Sequence, residues 1–385
     1  MNPRVLSLVA LLAAAAACGF FFLSPSAPPQ GDGADDLKKA GAASGMARTA
    51  DGVKALVADG AGKNPGDGEK PKVDWKILTA LEDGRMPQAE PEDVARFLAK
   101  HGETAANLIA AFENTHERRW LDRALELFPN SPIVLMKAID SLGSGAAPKE
   151  GETYQANRER LALIERFKAA DPNNPVPWIF AAQELFKAKQ TAEGIAEIRA
   201  ALERPAFYTY SNERMDAAQR LYESLGLGTL EARTFAMFGL SIPHTAAAIQ
   251  ASRGLMEWQK SAAVSGDTAA ADDALRLTYS LGRTFATPEA SRMLIGQLVG
   301  ISLEKRALES LPADAQPDWL TVTPAQRLAE IEQQKQFVKE VTASSDRILQ
   351  LRDEQLFAEW LRRVRNDGEA AAFIWMKQQK KSRTE

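Results

Sequence analysis

The chain has 385 residues, 45% of them hydrophobic and 25% charged, with a formal net charge of -4. That is ordinary for a protein that folds in water, with enough chain for one large or two smaller cores, and it excludes the basic excess on which sequence-independent nucleic-acid binding depends. Cys18 is the only cysteine, and His101, His116 and His244 stand far apart, so neither a disulfide framework nor a metal-ligand cluster is expected and no cofactor is implied.

From Val5 to Leu23 no charged residue occurs, Arg4 precedes the run, and Ser24, Pro25, Pro28 and Pro29 follow it. A helix of about 19 residues rises about 28 Å, close to the hydrocarbon thickness of a bilayer. Segment 1–23 is therefore expected to be a transmembrane anchor, oriented by Arg4 with its short end in the cytoplasm. Two alternatives stay open. Ala15-Ala16-Ala17-Cys18 also fits a permissive lipoprotein box that would lipidate Cys18, and the small residues from Ser24 to Ala27 offer a signal-peptide exit site.

Residues 24–72 are rich in Gly, Ala, Pro, Ser and Asp and nearly devoid of aromatic and branched aliphatic side chains. Such a segment buries too little apolar surface to offset its ordering entropy and is expected to be a disordered linker.

Beyond Trp75 apolar residues recur at helical spacing without sustained alternation, so the fold class expected is all-α. Glu90-Pro91-Glu92-Asp93 opens a helix, with proline in its first turn and acids at the positive end of the dipole. Phe128-Pro129-Asn130-Ser131-Pro132 starts another, with Leu135, Ala138, Ile139 and Leu142 on one face. After the loop from Gly143 to Gly151 comes a helix carrying Leu161, Ile164 and Phe167. Asp171 to Pro205 predicts a helical hairpin. Trp178, Ala181, Ala182 and Leu185 mark its first apolar stripe and Ile195, Ile198 and Leu202 its second, with a turn too short for anything but antiparallel packing. A further hairpin is predicted from Ser211 to Phe238 with its turn at Gly226 to Gly228.

Counted from Pro175, the residues Trp178, Ala181, Ala182, Leu185, Gly194, Ile198 and Ala201 fall where the 34-residue tetratricopeptide repeat places its aromatic, small and apolar signature residues. The chain resembles that family over about 100 residues, most closely from Pro175 to Pro205; Ile198 replaces a common aromatic and Pro205 comes one residue early. The resemblance implies a short α-solenoid over residues 73–240 with a groove for a protein or peptide partner. It also implies that first-helix positions Ile179, Gln183 and Lys187 line that groove, with Phe186 beside them.

Residues 241–385 lose the repeat signature yet keep helical periodicity. Helices are expected near 245–264, 268–285 and 287–309, with Asp267 as an N-cap and Thr287-Pro288-Glu289 as a proline-first start. Gly296 and Gly300 suit close packing of soluble helices. A long helix opens at Thr323-Pro324, and a final pair carries Leu356, Phe357, Trp360, Leu361 and Val364, then Phe373 and Met376.

Catalytic signatures are missing: no phosphate-cradling glycine loop, serine elbow, zinc-binding His-Glu pair or dinucleotide fingerprint occurs. The cluster from His116 to Trp120 reads as a solvated helix surface, His244 as an exposed loop histidine, Asp272-Asp273 as solvated acids, and Lys377, Lys380, Lys381 and Arg383 as a solubilising tail. The expectation is thus an envelope protein of bacterial type, tethered to the inner membrane with its helices outside the cytoplasm, binding another protein as a scaffold or assembly factor. The competing classes are a helical envelope enzyme whose site is built from distant residues, and a structural spacer.

Overall fold

The computed structural model describes residues 73–75, 78, 85–143, 156–287, 290, 292–342 and 353–384. The expected anchor with Cys18, and the linker, lie outside them. The described residues are α-helical and contain no strand, and no described helix is long and apolar enough to cross a membrane.

Three hairpins come first, after a lead helix α1 (Pro91–His101). They are α2 (Ala105–Thr115) with α3 (Arg118–Leu127), α4 (Pro132–Ser141) with α5 (Arg158–Ala170), and α6 (Val176–Lys187) with α7 (Thr191–Leu202). Local chemistry sets their ends. In α1 Pro91 holds the first position, as the sequence predicts, and the Glu90 and Asp93 side chains satisfy each other's backbone N–H groups. Thr104 caps α2 by accepting from the Asn107 N–H at 3.2 Å, and Asn157 caps α5 by accepting from the Arg160 N–H at 3.1 Å.

The chain then turns back on these hairpins. Helix α8 (Ser211–Ser224) pairs with α9 (Thr229–Phe238) and lies against α2, and α10 (Pro243–Ser265) lies against α6 and α7. The 23-residue α10 succeeds there because its inner face is small: Ala247, Ala248, Ala251 and Ser252 are fully buried or nearly so, and Gly254 lets the backbone approach Phe186. One apolar cluster consequently runs from Val94 and Phe97 through Phe167, Ile179 and Phe180 to Leu255, Phe285 and Leu303, passing the expected division at residue 240 without a break. Each of its fully buried Leu, Ile and Phe side chains contributes roughly 1.5–3 kcal/mol.

Helices α11 (Thr268–Thr284) and α12 (Leu294–Leu308) extend the array, α13 (Pro324–Thr342) packs on α12, and α14 (Glu354–Asp367) pairs with α15 (Glu369–Thr384). Asp267 caps α11 as expected, accepting from the Ala270 N–H at 3.0 Å. Gly282 and Gly300 bring α11 and α12 so close that a methyl group on Gly282 would sit 2.7 Å from the Gly300 carbonyl oxygen, which is the close helix packing that Gly300 suggested. A second cluster, around Phe235, Phe357, Trp360 and Phe373, joins α9 to the last pair and receives Val73 and Leu78.

One predicted start is corrected. The helix expected from Thr287 begins only at Leu294, although the Thr287 hydroxyl accepts from the Ala290 N–H at 3.4 Å. The reason lies 75 residues downstream. Glu369 accepts the first free N–H of α12, Leu294 N, at 2.8 Å and donates its own backbone N–H to the Arg292 carbonyl at 2.7 Å. Arg292 in turn donates to the carbonyls of Arg365 and Asn366. A long-range carboxyl oxygen replaces the local cap.

Candidate functional site

The side of the hairpins that a tetratricopeptide-like array would offer to a partner is covered by the chain's own segment 211–265. Helix α8 lies on α2 and α10 on α6, while between them the Ser241 hydroxyl donates to Asp140 of α4 at 3.1 Å. Three of the four expected groove residues are accordingly inside the core: Ile179, Gln183 and Phe186 are buried, and Phe186 is clasped between Gly194 of α7 and Gly254 of α10. Ile179 has no exposed surface, and Gln183 and Phe186 keep only 4% and 7%. Lys187 is half-buried, and desolvation lowers its pKa, countered by the Glu184 carboxylate.

What Gln183 does instead is structural. Arg160 of α5, almost wholly buried, donates to the fully buried Glu184 and to Gln183 Oε1 at 2.8 Å, and Glu184 also accepts the Asn157 N–H at 2.7 Å. This ion pair bolts α5 to α6, and a buried pair of this kind resists the loss of either partner far more than the loss of both.

A second polar knot sits where α2, α4, α8 and the start of α10 converge. Arg214 pairs with Glu113 and donates to the Ser241 carbonyl at 2.8 Å; Lys137 Nζ lies 3.3 Å from Glu113 and 2.8 Å from Asp140. Two cations and two anions cancel. His244, expected in an exposed loop, is buried in the first turn of α10, with its ring 5.7 Å from that of Phe207 and stacked at 6.3 Å on Phe285. Its Nδ1 has no partner, and desolvation, with the positive charge of Arg214, holds the imidazole neutral with a pKa lowered to about 3. The cavity beside this knot, bounded by Met86, Asn114, Arg214 and Phe235, measures about 30 Å³. That is room for a water or two and not for a substrate.

Two carboxyls with raised pKa values are the natural candidates for catalysis. Burial pushes Glu369 up to about 7 and raises Glu231, but Glu369 accepts the Leu294 N–H and Glu231 Oε1 accepts the Asp74 N–H, 2.5 Å away, while Glu231 Oε2 is buried without a partner. Both fasten segments together. Around the His116 to Trp120 stretch, Leu121 turns inward as expected and Glu117 pairs with Arg119 and the Trp120 indole. Asp273 is held between Arg199 and Arg276, and Asp272 accepts from the Trp319 indole at 3.1 Å. Among the described residues no group of His, Cys, Asp or Glu could hold a metal ion.

A larger concavity lies elsewhere, between α11, α12 and α13. It measures about 220 Å³ and is lined by Arg283, Phe285, Ile301, Glu304, Arg327 and Phe337, among others. Glu304 is buried in its wall and receives Arg327 Nε at 2.9 Å and Nη2 at 2.6 Å. Phe337 keeps 40% of its surface exposed at the rim. No sequence motif announces this cleft, because its residues are spread from Gly282 to Val338 and share only their final location. The helical faces are readable in the sequence, but which of them remains open is not.

No protein-family model matches the chain, and neither a curated protein nor a solved structure matches it.

Proposed function

We propose that this protein is a tethered scaffold of the tetratricopeptide-like kind, held outside the cytoplasm by its N-terminal apolar segment, and that a protein partner docks on the α11–α13 cleft and not on the hairpin groove. The observation that carries this reading is the rim of the cleft. An exposed phenylalanine and a half-exposed arginine flank a concave wall of mixed apolar and polar side chains, and aromatic and arginine side chains at a pocket rim are the usual anchors of protein interfaces. The hairpins then serve as a rigid mount, with segment 211–265 taking the place that a peptide would occupy. The enzyme reading loses support, since the carboxyls with raised pKa are engaged inside the core and line neither cavity.

The test places a photo-crosslinking amino acid at position 337 of the full chain in its native membrane. One defined partner, captured at 337 and lost with Arg283→Glu while circular dichroism stays unchanged, is the expected result. Scattered crosslinks, or capture indifferent to Arg283→Glu, would remove the cleft as the docking site.

A further inference from the structure

Among the described residues four glutamates are buried, and they divide into two kinds. Glu184 and Glu304 each meet an arginine, Arg160 and Arg327. Glu231 and Glu369 meet no cation, and both belong to the seat of the last hairpin, α14–α15, against α9 and the head of α12. Glu369, the first residue of α15, is tied to the head of α12 by the Leu294 N–H at 2.8 Å. Glu231 of α9 acts through the entry segment. Its Oε1 accepts the Asp74 N–H, the neighbouring Val73 N–H donates to Glu354 of α14 at 2.9 Å, and the Trp75 ring lies 5.4 Å from that of Phe357. Glu231 Oε2 and, in α14, Trp360 Nε1 are buried without partners.

The charges around this seat leave the two carboxyls uncompensated. Asp74 and Glu354 stand near Glu231, and both are acids. At the other seam Arg292 donates to the carbonyls of Arg365 and Asn366, Arg365 pairs with Asp216 of α8 at 2.6 Å, and Lys377 of α15 lies 3.4 Å from Glu340 of α13. Among the described residues the Glu369 carboxyl has one polar contact, the Leu294 N–H. Ionised in such a place, either carboxylate would lack what Arg160 and Arg327 give the other two, and water supplies it once the hairpin lifts.

We infer that α14–α15 is a pH-gated latch: Glu369 and Glu231 hold it closed as neutral carboxyls, and the loss of their protons to solvent frees it from α9 and the head of α12. Burial raises Glu369 to about 7, and it raises Glu231 too, opposed by the Asp74 N–H and reinforced by the charges of Asp74 and Glu354. A carboxyl that keeps its proton only when buried favours the closed seat at low pH. That preference fades by close to tenfold per pH unit as pH climbs from the ordinary value to the buried one. For Glu369 the window runs from about 4.5 to 7, so the latch is tight in mildly acidic surroundings and has lost this fastening above neutrality. It is independent of what docks at the α11–α13 cleft.

Hydrogen–deuterium exchange of the full chain at pH 5, 6 and 7 reads the latch, because protection factors divide out the intrinsic pH dependence of exchange and report local opening. Protection of the α14–α15 amides, Leu361 and Phe373 among them, should fall roughly thirtyfold from pH 5 to 7, while that of α6, at Ile179, does not follow. Glu369→Gln, whose carboxamide oxygen still accepts the Leu294 N–H, should remove most of the fall, and Glu231→Gln the remainder. Hairpin protection equal at pH 5 and 7 would overturn the inference. So would an equal fall in α6, which would make the event global unfolding, and so would a fall that survives undiminished in both variants. Should either variant fail to fold, the contrast between the hairpin and α6 in the wild type decides alone.

Discussion

Placing one methyl group on Gly254 tests whether α10 truly fills the hairpins' inner side. In the middle of a helix, Gly→Ala normally stabilises by about 1 kcal/mol. Here the added carbon would lie 2.6 Å from Phe186 Cδ1 and 2.7 Å from Phe186 Cβ, at the root of that side chain and not at a free end. Phe186 has no retreat, since its ring already meets the backbone of Gly194, where a methyl would be 3.0 Å away. Overpacking of this kind costs about 1–3 kcal/mol, so Gly254→Ala should destabilise by about 1 kcal/mol net instead of stabilising. Urea denaturation followed by circular dichroism measures this as a lower midpoint with an unchanged slope. In a Phe186→Ala background, itself costing about 3–5 kcal/mol, the same methyl has room and should restore its helix-propensity gain. A double-mutant cycle would then give a coupling of about 1–2 kcal/mol. If Gly254→Ala alone raised stability by the propensity term, α10 would not be packed on α6 as described and the covered groove would have to be abandoned.

Removing one member of the buried α5–α6 pair, by Glu184→Ala, strands Arg160 and should cost about 3–5 kcal/mol, measured by the same denaturation, whereas Arg160→Met with Glu184→Leu should cost far less. Gln183→Ala should lower the unfolding midpoint and leave partner capture intact; loss of capture without loss of stability would return Gln183 to the binding surface. Two buried groups pull the pH dependence in opposite directions. Glu369, raised to about 7 by burial, holds a proton that the unfolded chain releases above its ordinary range, so its contribution is present at low pH and fades as pH rises from about 4.5 to 7. His244, lowered to about 3, refuses a proton that the unfolded chain accepts, so its contribution is present above about 6.5 and fades as pH falls toward 3. Glu369→Gln should therefore expose the histidine slope, up to about 1.4 kcal/mol per pH unit between about pH 5 and 6. A midpoint-against-pH curve no steeper than the wild type's would refute this assignment.

Helices and hairpins are legible because their information is local. Pro91, Pro132 and Pro175, the capping carboxylate of Asp267, and the apolar spacing of Trp178 to Leu202 act within a few residues of themselves. What stays hidden depends on distance. His244 reads as an exposed loop residue, but it lies in the first turn of α10, enclosed by Phe207 and Phe285 from elsewhere in the chain. The start at Thr287 loses to Glu369, and the groove residues lose to a helix that follows them by a full hairpin. Arg160 and Glu184 look like surface charges in sequence, and nothing in their spacing shows that they meet inside the protein. The α11–α13 cleft is of the same kind, a product of three helices whose own patterns contain no trace of it.

That α10 completes the hairpins has a consequence for how the molecule comes into being. A chain is made from its N-terminus, at about 5–20 residues per second. When α6 and α7 have emerged, the faces of Ile179 and Phe186 stay only partly covered until the helix bearing Ala251 and Gly254 follows, on the order of ten seconds later. During that interval the nascent hairpins display a wide apolar surface, a natural resting place for a chaperone. A product cut short before Pro243 would keep that surface for its whole life, and aggregation or proteolysis would be its expected fate.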